Sequence, residues 1–112
     1  DGSCDWCKAG LSNLCESYLV PGIAYNGGFA EYVAVPKADW NMEILPDSIG
    51  FAEGAALGCR FITAYHGLMD IGEVRIGDWV AIFGCGGVGL SAVNIAHQMG
   101  AFVIGVDINP LN

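Results

Sequence analysis

The chain has 112 residues, 12 acidic and 4 basic, giving a net charge of −8, and 54% of it is hydrophobic. A negative surface disfavours nucleic acid and anionic membranes as partners. No apolar run approaches the roughly 18 residues that a membrane span needs, and nothing near Asp1 resembles a signal or transit peptide. So much apolar content in so short a chain implies either an unusually large core or a segment of something bigger.

The first fifteen residues have no helical or strand period but do have a spacing, Cys4-x2-Cys7-x7-Cys15, with Asp1 three positions before Cys4. Thiolates two residues apart reach one metal around a turn, and a loop of seven brings in a third. Zinc takes such ligands tetrahedrally, and closed all-protein sites are structural. Asp1 is the candidate for the fourth corner, through a carboxylate oxygen that is harder than a thiolate. A lobe this poor in apolar residues has few other means of holding its shape, and metal binding in small lobes supplies about 10 kcal/mol or more. Five cysteines in all, an odd count, suit a reducing compartment better than a disulfide framework, so a cytoplasmic protein is expected.

From Tyr18 to Pro36 turn signals at Pro21-Gly22 and Asn26-Gly27-Gly28 flank short runs, and Phe29 to Val35 reads as a strand stopped by Pro36. Glu31 in it reads as an outward strand acid. A further short strand is expected around Met42–Leu45. Leu45-Pro46-Asp47-Ser48 then marks a helix start, and Phe51 to Leu57 reads as a short alanine-rich helix. Cys59 falls at a break before a second helical stretch, on which Ile62, Tyr65, His66 and Met69 share a face. By composition alone Cys59 is a small buried thiol, and His66 and His97 are packing or surface residues. The one candidate domain boundary lies between residues 46 and 47.

Trp79 to Phe83 is an apolar run that reads as a strand buried on both faces, and Gly77-Asp78 turns the chain into it. Gly84-Cys85-Gly86-Gly87-Val88-Gly89 follows, then Gly89, Ala92, Val93 and Ala96 at helical spacing, Gly100 as a stop, and Phe102 to Val106 as a second buried strand ending at Asp107. Strand, glycine turn, helix, strand and terminal acid are the parts of a dinucleotide fold in their required order. Gly84 permits the tight turn, Gly86 lets a pyrophosphate approach the backbone, and Gly89 lets helix and sheet pack closely. The helix N-terminus offers unpaired N–H groups and partial positive charge to the phosphates. Asp107 stands eighteen residues beyond Gly89, near the spacing of about 20 for the acid that accepts from the adenosine ribose. A carboxylate there repels a 2′-phosphate, which favours NAD over NADP.

Taken together these segments resemble, in the right order and over essentially the whole chain, the zinc-dependent alcohol dehydrogenases of the medium-chain dehydrogenase/reductase superfamily. Gly2 through Cys15 resembles the structural-zinc lobe, Gly28 to Tyr32 part of the GroES-like catalytic domain, Gly58 through Tyr65 the domain junction, and Gly84 to Asp107 the start of the nucleotide domain. The resemblance implies an α/β protein: the start of a Rossmann-type parallel sheet, one βαβ unit, preceded by part of a GroES-like β-rich domain with a cysteine zinc lobe. Residues 1–46 would be the C-terminal part of that GroES-like domain, with the lobe at 1–15, and 47–112 the junction and first βαβ unit.

By the same resemblance Cys59 is a catalytic-zinc ligand, and Thr63 and Val88 lie near the nicotinamide, with Gly87 in the phosphate turn. The implied chemistry is hydride transfer between an alcohol and NAD, with zinc as Lewis acid. Asp1 stands where the family has its first structural cysteine. The family's other catalytic-zinc ligands and its proton relay come from sequence upstream of the lobe, so an internal fragment, inactive by itself, is expected. Its parent would be a homodimer or homotetramer acting on a small alcohol or aldehyde. Two other readings stand beside this one, a zinc-free NADPH quinone or enone reductase of the same superfamily and a non-catalytic nucleotide-binding remnant. The cysteine lobe, Cys59 and Asp107 argue against the reductase.

Overall fold

The computed structural model describes residues 1–109; of the segment assigned to 47–112, the last three residues lie outside the described ones. The chain forms two compact units, Asp1–Ile44 and Leu45–Asn112.

The first unit is held by loops and short helices. α1 (Asp5–Lys8) is followed by a single 3-10 turn at Ser12–Leu14, and α2 (Ala38–Asn41) closes the unit. Lys37 enters α2 in the left-handed region (φ 51°) and donates from Nζ to the Asp1 carbonyl, which ties the two ends of the unit together. Asn41 Nδ2 steadies α2 by donating to the carbonyls of Pro36 (3.1 Å) and Lys37 (3.2 Å).

The strand expected over Phe29–Val35 does not form, nor does the one around Met42–Leu45. An isolated bridge between Pro21 and Tyr25 is the unit's one piece of β pairing among the described residues. Phe29 and Tyr32 are fully exposed. A strand is defined by its ladder, and Phe29–Val35 has the composition for one but no neighbouring strand among the described residues.

The second unit is built on a two-stranded parallel sheet. β1 (Trp79–Phe83) and β2 (Phe102–Val106) pair in register from Trp79↔Phe102 to Phe83↔Val106. α5 (Gly87–Gln98) makes the crossover between them, completing the expected βαβ unit. Gly100, at φ +84°, ends α5 in the left-handed conformation. Its N–H donates to the His97 carbonyl (2.9 Å), and that of Ala101 to Ala96 (3.0 Å), which satisfies the last helical carbonyls.

The expectation of strands buried on both faces is corrected. Val80 and Ile82 are half-buried and Val80 packs on the core, but Trp79, Ala81 and Phe83 are exposed, as are Phe102, Ile104 and Val106 opposite them. Helices cover one face, and nothing among the described residues covers the other. Trp79 and Phe102 stack on that open face with ring centroids 5.0 Å apart.

Residues 51–71 form one continuous helical run, not two stretches with a break. α3 (Phe51–Ala56) passes through a π turn (Leu57–Phe61) into α4 (Ile62–His66) and a second π turn (Gly67–Ile71). The run starts at Phe51, where the sequence placed the helix, and Glu53 Oε2 accepts from the Gly50 N–H at 2.6 Å. Its buried face carries Ala64 and Leu68, with Phe61 beside them. Of the residues expected to share a face, Ile62 and Tyr65 are exposed while His66 and Met69 are half-buried. Ala64, Leu68, Ile95, Ala96 and Ala101 make the core, so α4 and α5 pack against each other on the covered side of the sheet. No helix among the described residues is long and apolar enough to cross a membrane.

Candidate cofactor turn and metal cluster

The glycine turn leaves β1 at Gly84, whose φ of +94° is open to glycine and strained for other residues. Its N–H extends the ladder by donating to the Val106 carbonyl at 2.7 Å. Gly86 caps α5 in extended geometry, and a Cβ added there meets nothing within 4 Å. That open space lies where a phosphate approaches the N–H groups of the first helical turn. A Cβ on Gly89, by contrast, would overlap the Gly84 carbonyl. Gly86 leaves open space at the turn, whereas Gly89 is needed by the turn itself. Val88, one residue earlier, is partly exposed at the mouth of the turn.

Asp107 is tied to this turn. Its Oδ2 accepts from the Cys85 N–H at 2.6 Å and its Oδ1 from the Asn109 N–H at 2.7 Å. Two amides fix the carboxylate's orientation, and a carboxylate has about four acceptor positions. The Cys85 amide was not among the expected site groups; a fingerprint specifies glycines and the acid, not the bond that joins them. Cys85 itself is buried, with its sulfur beside Gly105, where an added Cβ would stand 3.1 Å away.

In the first unit, the candidate ligand atoms of Asp1, Cys4, Cys7 and Cys15 all lie within 4.8 Å of one another. Cys7 and Cys15 are buried, each 3% exposed. α1 brings the first pair together, since Cys4 caps it and Cys4 Sγ accepts from the Cys7 N–H at 3.5 Å. That hydrogen bond chiefly lowers the Cys4 thiol to a pKa of about 7, which favours the thiolate that binds metal. Asp1 Oδ1 accepts from the amides of Ser3 (2.7 Å) and Cys4 (3.0 Å), folding the loop toward the sulfurs. A tetrahedral zinc with sulfurs at about 2.3 Å fits atoms this close, and three thiolates with one carboxylate are an acceptable donor set.

Cys59 and Thr63 are exposed on the helical run, Cys59 within the first π turn and Thr63 in α4. Cys59 belongs to no group of three or more metal-binding side chains among the described residues. One thiol does not hold a catalytic zinc, so the described residues do not form that site. His66 Nδ1 lies 2.6 Å from Asp70 Oδ2 on the surface, a local helical pair. Arg60, next to Cys59, also escaped the expected site. A lone guanidinium between Cys59 and Phe61 on a mostly apolar helix was the available signal.

Residues 1–47 match the alcohol dehydrogenase GroES-like domain. Along 96% of its length the chain is 41% identical to an alcohol dehydrogenase of Geobacillus stearothermophilus and 42% identical to one of Moraxella sp. (strain TAE123), covering 31% of each. Among solved structures, alcohol dehydrogenase TADH from Thermus sp. ATN1 superposes with a TM-score of 0.88 at 34% identity, over 99% of this chain and 34% of that one. An NAD-dependent alcohol dehydrogenase superposes with a TM-score of 0.82 at 39% identity, over 93% and 30%. The GroES-like part and the parallel two-stranded unit thus occur together, as the sequence resemblance implied. The chain spans about a third of the length of the curated relatives it matches. Over nearly its whole length it is similar to one stretch of the alcohol dehydrogenases.

Proposed function

We propose that this chain is part of an NAD-dependent alcohol dehydrogenase, in which residues 84–107 hold the adenosine half of the cofactor and the cysteine lobe holds a structural zinc. In this reading residues 1–46 end a GroES-like catalytic domain and 47–112 begin the nucleotide domain. The observation that carries it is the 2.6 Å hydrogen bond from the Cys85 amide to Asp107. It couples the ribose-binding acid to the phosphate turn, as recognition of one dinucleotide requires. NAD, when bound, supplies the hydride acceptor for an alcohol carbon.

The remaining roles belong to the chain. The first N–H groups of α5 compensate the pyrophosphate charge, aided by the helix dipole. Asp107 accepts from the ribose hydroxyls and excludes a 2′-phosphate by repulsion and by leaving it no donor. Cys4, Cys7, Cys15 and Asp1 would hold the structural zinc and order the lobe. Cys59 would be one ligand of a catalytic zinc completed by residues outside this stretch, with Thr63 and Val88 near the nicotinamide. The family resemblance further supports a cytoplasmic homo-oligomer acting on a small alcohol or aldehyde.

The test is titration of the full-length protein with NADH and NADPH, monitored by cofactor fluorescence. Tighter binding of NADH is expected, and Asp107→Gly should reduce the preference by tenfold or more, about the effect of losing one charged hydrogen-bonding group. A wild-type preference for NADPH would overturn the role of Asp107 and favour the reductase reading.

A further inference from the structure

We propose that Arg60 is a ligand of the cofactor's pyrophosphate, its guanidinium closing one side of the cradle made by the glycine turn and the start of α5. This rests on the dinucleotide reading above and adds a group that the glycine fingerprint does not contain.

Arg60 lies in the π turn Leu57–Phe61, which packs against α5. Its side chain runs over Gly87, the first residue of that helix. A Cβ added to Gly87 would stand 2.5 Å from Arg60 Cδ, 2.9 Å from Nε and 3.1 Å from a terminal guanidinium nitrogen. The fingerprint assigns tasks to Gly84, Gly86 and Gly89; in this chain the extra glycine, Gly87, makes room for an arginine. The π turn contributes by inserting one residue, which turns Arg60 toward α5.

Charge pairing makes the placement informative. Lys8 pairs with Asp5, Arg75 with Glu73, and Lys37 Nζ donates to the Asp1 carbonyl. Among the described residues Arg60 has no ion-pair partner, in a chain with three times as many acidic as basic residues. Its guanidinium instead lies at the positive end of a twelve-residue helix, where a cation is disfavoured. An anion arriving between guanidinium and helix N-terminus reverses the sign of that interaction. The planar fork of arginine suits two phosphate oxygens at once, as a lysine would not.

The experiment compares wild type, Arg60→Gln and Arg60→Lys in the full-length protein, with NADH, ADP-ribose and adenosine as probes. Arg60→Gln keeps the stem and removes the charge. It should weaken NADH and ADP-ribose by about tenfold to a hundredfold, leave adenosine unchanged and flatten the salt dependence of binding, with Arg60→Lys intermediate. ADP-ribose affinity within twofold of wild type in Arg60→Gln would overturn the assignment, as would an equal loss for adenosine. If wild type binds neither NADH nor ADP-ribose, the dinucleotide reading fails as well. If wild type binds both and Arg60→Gln is unaffected, only the role of Arg60 fails.

Discussion

Gly86 and Gly89 sit three residues apart in one turn, and the structure gives them opposite sensitivities. At Gly86 an alanine methyl enters open space in an extended backbone any residue adopts. Gly86→Ala should therefore leave the melting temperature of the full-length protein near wild type while weakening NADH, because the methyl occupies the approach of the phosphates. At Gly89 the methyl overlaps the Gly84 carbonyl, so Gly89→Ala should destabilise by about 1–3 kcal/mol, the usual cost of overpacking. Thermal melts paired with NADH titration separate the two. Equal loss of stability in both variants would contradict the division of labour. The strand, glycine turn, helix and second strand were legible because each answers to a backbone rule that sequence spacing records. The Cys85–Asp107 bond and the position of Arg60 were not, since both depend on how neighbouring elements pack.

The cysteine lobe buries little, and in the proposed reading a zinc ion holds it. Cys7 and Cys15 are its buried residues, and Trp6, Leu11 and Leu14 are exposed. Removing zinc with a chelator should raise hydrogen exchange across residues 1–20 of the full-length protein and leave β1, α5 and β2 protected. Cys15→Ser should lower the structural zinc content, and Asp1→Cys should slow its loss to a chelator by supplying a softer ligand. Unchanged exchange after complete zinc removal would contradict a structural role. Cys4-x2-Cys7-x7-Cys15 made this element readable because ligand spacing is local. The strand at Phe29–Val35 and the helix break at Cys59 were misread for related reasons. Strand pairing depends on a neighbour that composition does not supply, and a π turn carries a helix through a glycine where periodicity alone ends it.

At the scale of the molecule, the two compact units carry different parts of one proposed enzyme. Among the described residues the sheet face with Trp79, Phe83 and Phe102 is uncovered, and Cys59 joins no group of three or more metal-binding side chains. A polypeptide of these 112 residues should accordingly turn over no alcohol. The most direct measurement is cofactor-coupled oxidation of a panel of primary and secondary alcohols by the full-length protein, before zinc removal, after it, and after zinc is restored. NADH formation from NAD that disappears with zinc and returns with it is the predicted result. A zinc-replete protein that oxidises no alcohol with NAD, but reduces enones with NADPH, would contradict the account.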